Sequence, residues 1–224
     1  MKIEIRNLSK QFRGARVLDD VNLQMNSGKV YGIVGRNGSG KTMLFRCLAG
    51  LVRPSSGEIL FDGKVLHRDI PTPPNMGIVI ENMGLYPDFT GFANLKYLAR
   101  IRNAISDEEI RAAIDRVGLD PGDRRILKKY SMGMRQRIVL AQAIMERQDV
   151  IVLDEPTNAL DEEGVSLIRT ILKEEAARGA VVANASHNKE DILYLCDEVY
   201  HMSKGRLEAG EPSRDGAGME RSEA

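Results

Sequence analysis

The stretch Gly35-Arg36-Asn37-Gly38-Ser39-Gly40-Lys41-Thr42 constrains the fold more than any other part of the chain. It has the form G-x-x-x-x-G-K-[ST], follows an apolar run at 30–34 and opens helical spacing at 41–49. A glycine-rich turn between a buried strand and a helix presents successive backbone N–H groups, and the helix N-terminus, to an anion. Lys41 can place its ammonium on the outer phosphates of a nucleotide. The Thr42 hydroxyl can ligate Mg²⁺, which prefers oxygen ligands in octahedral geometry. The plainer alternative is a glycine-rich turn with an incidental Lys-Thr pair. Residue frequencies produce that pattern by accident about once in a hundred chains of this length.

A second feature fits the first. Val150-Ile151-Val152-Leu153-Asp154-Glu155 is a short apolar strand ending in two acids, at the edge where open α/β sheets place their ligands. There Asp154 can orient a metal or its waters, and Glu155 can polarise a water that attacks a terminal phosphate. Around these motifs the pattern alternates. Strands are expected at 2–8, 17–25, 57–61, 76–80 and 180–185, with a turn at Asp62-Gly63 and a proline-rich loop around Pro71, Pro73 and Pro74. Helices are expected at 92–101 and 162–177. A capping box at Ser106-Asp107-Glu108-Glu109 opens another helix. The first two strands read as antiparallel. Further on, strands alternating with helices indicate a mostly parallel sheet covered on both faces. The expected fold is therefore α/β, of the P-loop NTPase kind, with a helical block inserted at 91–148. Residues 210–224, rich in Gly, Ser and charge, read as a disordered tail.

Composition narrows the function. The 224 residues carry 32 Lys and Arg against 32 Asp and Glu, so no long-range basic field favours nucleic acid, and no nucleic-acid partner is expected. Cys47 and Cys196 lie far apart in helix-like apolar stretches and read as small buried residues in a reducing compartment. No run approaches the roughly 20 apolar residues that cross a bilayer, and the alternating first residues do not read as a signal peptide. A cytoplasmic location is expected, peripheral to a membrane only through a partner.

Together these motifs resemble the nucleotide-binding domain of ATP-binding cassette (ABC) proteins over 1–209, with 1–90 and 149–209 as the catalytic core and its β subdomain. Tyr130-Ser131-Met132-Gly133-Met134-Arg135-Gln136-Arg137 looks like the family's signature segment. The resemblance implies that Ser131 and Gly133 meet a nucleotide held by an opposing subunit. It implies that Asn158-Ala159-Leu160-Asp161 is the D-loop, that Ser186-His187 carries the switch histidine, and that Phe12 stacks on adenine. ATP and Mg²⁺ are the implied cofactors, with catalytic roles for Glu155, His187 and Glu81. The implied partners are a second ABC ATPase subunit and a separate membrane-spanning permease. Two positions depart from the usual pattern. Glu81 stands where a glutamine opens the loop to the helical block, adding negative charge near the γ-phosphate and a further oxygen for Mg²⁺. Met132 replaces a glycine of the signature. These departures look like the bacterial exporters associated with bacitracin-type and lantibiotic-type peptide resistance.

Two other functions use the same motifs. A soluble ABC ATPase energising a non-transport assembly would lack a permease partner. Its chromosome-type members carry long coiled coils between the two ATP motifs, whereas Thr42 and Asp154 are 112 positions apart with no sustained heptads between them. A small-molecule phosphotransferase would need an acceptor site and gives no reason for the signature segment. For the transporter reading, Leu85, Tyr86, Pro87 and Phe89 offer apolar contacts to a partner helix.

Overall fold

The computed structural model describes residues 1–80, 84–187, 192 and 194–210. In chain order its elements are β1 (Lys2–Phe12), β2 (Ala15–Asn26), β3 (Lys29–Val34), α1 (Lys41–Leu48), β4 (Ser56–Phe61), β5 (Lys64–Val65) and β6 (Met76–Val79). There follow α2 (Gly91–Arg102), α3 (Asp107–Arg116), α4 (Met132–Ile144), β7 (Val150–Asp154), α5 (Glu162–Ala177), β8 (Val181–Ala185), β9 (Glu198–Ser203) and β10 (Arg206–Gly210).

Two sheets result. One is antiparallel, in the order β2-β1-β4-β5; the other has the order β10-β9-β3-β8-β7-β6. In the second, β6, β7, β8, β3 and β9 run parallel and only β10 is antiparallel. Side chains alternate across a strand, so the parallel strands divide their residues between two layers. Tyr31, Ile33, Val150, Val152, Val181 and Ala183 face a core shared with β1, β2 and α1. Val30, Ile151, Leu153 and Val182 face a second core built with the helices. This explains why Val150–Leu153 of β7 reads as a continuous apolar run and why all of β8 is buried: both faces of these strands are covered.

The helical block is tied to α5, and its own helices to one another, by charge as well as packing. Arg116 of α3 donates to Glu174 at 2.8 Å and to Glu175, both on α5, and Glu175 accepts again from Arg178 at 2.6 Å. Glu175 is 1% exposed, and a carboxylate so buried is tolerated only when paired in this way. Arg102, at the end of α2, donates to Glu146 at 2.9 Å beyond α4.

The expected capping box of α3 is present in full, with Ser106 accepting from the Glu109 N–H and Glu109 accepting from the Ser106 N–H. Four expectations change. β1 extends to Phe12 because bulges at Ile5/Leu8 and beyond, with Asn7 at φ 49, break the two-residue alternation that ended it at 8 in the sequence. The strands on either side of the proline-rich loop belong to different sheets, β4 to the antiparallel one and β6 to the parallel one. Gly210, expected to open the tail, is the last residue of β10, a strand the sequence did not indicate. Cys196 is only partly buried, whereas Cys47 is buried in α1, where desolvation raises its thiol pKa to about 11.

Candidate active site

The parallel strand β3 delivers the glycine-rich turn to the sheet's C-terminal edge, where α1 begins. Gly40, at φ 117, is the residue before α1, a left-handed conformation that suits glycine. Nearby, the Lys41 ammonium is folded onto the loop's own carbonyls, donating to Gly35 O at 2.6 Å and Arg36 O at 3.4 Å. Only 6% of Lys41 is exposed, so its charge is held inside the loop where a phosphate would displace those weaker acceptors.

Strand β7 ends beside α1. There the Thr42 hydroxyl donates to Asp154 Oδ2 at 2.6 Å, bringing together the two motifs that lie 112 positions apart. The next residue, Glu155, has φ 53, and a non-glycine residue there carries about 1–3 kcal/mol of strain that its surroundings must hold. Its N–H donates to Ala185 O at 2.8 Å. Its carboxylate receives His187 Nδ1 at 2.8 Å, and the His187 backbone N–H lies 3.4 Å from the other oxygen. His187 directly follows Ser186 at the end of β8, and its side chain is 61% exposed, so the pair sits at the mouth of the site.

A cleft of about 1000 Å³ runs across this edge. Residues 37–42, Asp154 and Glu155 form one wall, and Met132, Arg135 and Gln136 of α4 face them. Val17, also lining the cleft, lies at the end nearest the glycine-rich turn. Gly35 and Arg36 do not line it. Gly35 is packed from behind, where an added Cβ would come within 2.3 Å of Met202 O.

The other sequence candidates fall as follows. Ser131 is exposed and caps α4, accepting from the Met134 N–H at 3.1 Å, and Gly133 is the second residue of that helix. Phe12 ends β1 with 55% of its surface exposed and is not among the cleft residues. Lys10 Nζ lies 5.8 Å from its ring. Glu81 lies outside the described residues.

Sequence reasoning missed the support behind the loop. The β9–β10 turn, Lys204 and Gly205, donates Gly205 N–H to Ser39 O at 2.9 Å. It also accepts Asp19 N–H at Gly205 O, again at 2.9 Å. Val17 O is wedged between two glycines: an added Cβ would approach it to 2.9 Å from Gly40 and 2.6 Å from Gly205. The Lys-Gly dipeptide at 204–205 was the one available signal, and the flanking strands hid it. In β9 the buried residues Val199 and Met202 are three apart, which breaks the strand period.

A glycine-rich loop opening a helix on a parallel sheet, with a threonine-aspartate pair and a glutamate beside it, defines a P-loop nucleoside triphosphatase. The chain belongs to the ABC transporter family, whose model matches residues 18–158. It is an ATPase, an ATP-binding subunit of the ABC transporter kind. It is similar to the uncharacterized ABC transporter ATP-binding protein YybJ of Bacillus subtilis, at 47% identity over 93% of this chain and 96% of that one. The bacitracin transport ATP-binding protein BcrA of Enterococcus faecalis is 36% identical, over 92% of this chain and 67% of its own. The lantibiotic transport ATP-binding protein SrtF of Streptococcus pyogenes is 32% identical, over 92% and 88%. The fold matches a solved ATP-binding subunit of an ABC transporter with a TM-score of 0.84, at 24% identity, over 94% of this chain and 90% of that chain.

Proposed function

We propose that this subunit drives export, through ATP-dependent closure of a dimer against a separate permease. The observation that carries the reading is the Thr42–Asp154 and Glu155–His187 pairing on one wall of a cleft that α4 faces from the other side. The N–H groups of residues 35–42 and the Lys41 ammonium bind the phosphates, and Phe12 stacks on the adenine.

The Thr42 hydroxyl and the Asp154 carboxylate are hard oxygen donors of the kind Mg²⁺ selects, with Glu81 as a further oxygen. Bound there, Mg²⁺ would neutralise charge on the outer phosphates. Glu155 accepts a proton from water as the water oxygen bonds the γ-phosphorus and the bond to the β-phosphate oxygen breaks, releasing ADP and phosphate. His187, already bonded to Glu155, is placed to hydrogen-bond the γ-phosphate and so to distinguish ATP from ADP. The exposed Ser131 and the half-buried Gly133 close the equivalent site of a second copy or close paralogue.

Tyr86, Phe89 and Tyr97 form an exposed aromatic group, with ring centroids 5.2 to 6.4 Å apart, that suits a helix of the permease. No helix among the described residues is long and apolar enough to cross a membrane, so a membrane position would come from that partner. The named relatives that act in bacitracin and lantibiotic transport favour a peptide antibiotic as cargo. The test is purification of the intact chain from membranes solubilised in mild detergent. Stoichiometric recovery of a polytopic membrane protein is expected, and a soluble stoichiometric partner in its place would refute the permease pairing.

A further inference from the structure

The first turns of α4 lie on the segment that leaves Glu155. Gly133, Gln136 and Arg137 are spaced i, i+3, i+4 and so share one helical face. Gly133 packs on the Ala159 carbonyl, which an added Cβ would approach to 3.0 Å. Gln136 Nε2 donates to Pro156 O at 3.1 Å. Arg137 Nη2 donates to Asp161 Oδ1 at 3.2 Å, and the same oxygen accepts the Gly164 N–H at 2.9 Å to cap α5. Only glycines leave room for that guanidinium: an added Cβ would lie 2.9 Å from it at Gly118 and 2.8 Å from it at Gly164.

The segment itself is compact and strained. Glu155 at φ 53 and Ala159 at φ 69 are both in the left-handed region. Backbone bonds from Asn158 N to Glu155 O at 3.3 Å and from Leu160 N to Thr157 O at 3.2 Å close it on itself. A short loop so tied moves as a unit, and a strained residue keeps its geometry only while the surrounding contacts hold. The two peptide groups flanking Glu155 and Pro156 are held from opposite sides, by Ala185 O on the Glu155 N–H and by Gln136 on Pro156 O.

We propose that Gln136 and Arg137 are positioning residues that lock the segment 155–161 to the first turns of α4, so that the placement of Ser131 and Gly133 sets the placement of Glu155 in the same chain. The inference rests on the composite-site reading above and deepens it. Ser131 and Gly133 engage the nucleotide of the opposing subunit while Glu155 acts on its own, so this lock makes turnover at one site depend on occupancy of the other.

The experiment uses the full chain and Mg-ATP. Gln136→Met keeps the side-chain length and removes the donor; Gln136→Lys restores a donor. For Gln136→Met, kcat falls by about tenfold, the weight of one ordinary hydrogen bond expressed in the transition state, while ATP affinity in single-site binding is retained. The Hill coefficient for ATP turnover falls from above 1 to about 1, and Gln136→Lys recovers most of both. The inference is overturned if kcat and the Hill coefficient are unchanged. It is equally overturned if kcat falls only in proportion to a lowered thermal midpoint with the Hill coefficient intact, because a purely structural bond would give that result. Glu155→Gln with ATP separates the two levels. If it forms no dimer, the composite reading fails and this inference with it. If the dimer forms and Gln136→Met behaves as wild type, only the inference fails.

Discussion

Gly205→Ala tests whether the β9–β10 turn supports the phosphate loop, and Gly63→Ala is its matched control. The two glycines occupy the same kind of hairpin turn: Asp62 and Gly63 have φ 47 and 79, and Lys204 and Gly205 have φ 47 and 80. An alanine in that left-handed conformation costs about 1 kcal/mol at either site. At Gly63 nothing lies within 4 Å of the added Cβ, so the cost stops there. At Gly205 the Cβ would sit 2.6 Å from Val17 O, 3.0 Å from Val17 C and 3.2 Å from Leu18 Cα. All three are backbone atoms, so relief requires the turn to move, and movement breaks the bonds to Ser39 O and from Asp19 N–H. At about 1 kcal/mol for each bond, the expected total is about 3 kcal/mol. With a urea slope of about 2 kcal/mol/M, the unfolding midpoint falls by about 1.5 M for Gly205→Ala and about 0.5 M for Gly63→Ala. Because Ser39 and Gly40 lose their backing, ATP affinity falls about tenfold in the first variant and is unchanged in the second. Paired urea titrations and ATP-binding isotherms measure both quantities. Equal midpoints for the two variants, or wild-type ATP affinity in Gly205→Ala, would refute the role assigned to the turn.

Further expectations concern the loop itself and a surface clasp. Lys41→Ala removes the ammonium now resting on Gly35 O and weakens ATP binding by at least tenfold, readable by fluorescence titration; unchanged affinity would count against the loop assignment. Asp123 accepts from Arg125 Nη2 at 2.7 Å and from the Arg125 N–H at 2.9 Å, which lowers its pKa to about 2 from an ordinary 3.8. A depressed carboxylate contributes stability above its unfolded pKa and loses it as pH falls through the folded one. The gap in urea midpoint between wild type and Asp123→Asn is therefore constant above about pH 4 and closes toward pH 2. A gap that widens on acidification would reverse the sign and reject the pairing. Burial holds the Cys47 thiol at about 11, so it resists alkylation at pH 8 in the folded chain and reacts once urea unfolds it.

Much of the site could be read from the sequence because its parts are local. The glycines of 35–40, the lysine at 41 and the apolar run before Asp154 each declare their backbone geometry within a few residues, and the capping box at Ser106 does the same for α3. Patterns that depend on distant partners were less legible. The bulges of β1 follow from its register with β2 and β4, and β9 owes its strand conformation to β3, which supplies its parallel partner. Asn7, Asp20 and Lys204 take positive φ without being glycine, and their local marks, an asparagine, an aspartate and the Gly205 that follows Lys204, are weak beside the strand patterns around them.

By itself the sequence determined that a glycine-rich turn would join a buried strand to a helix at residues 35–42, that two acids would stand at the end of a buried strand, and that a helical block would separate the two motifs. These follow from local rules of backbone freedom, charge and periodicity. Only the tertiary structure decided that Thr42 meets Asp154, that Glu155 meets His187, and that α4 rests on the segment leaving Glu155. It also decided that a hairpin from the end of the described chain holds the loop from behind. Such contacts join residues tens to hundreds of positions apart. Sheet order and helix docking set them, and no short window of sequence carries that information.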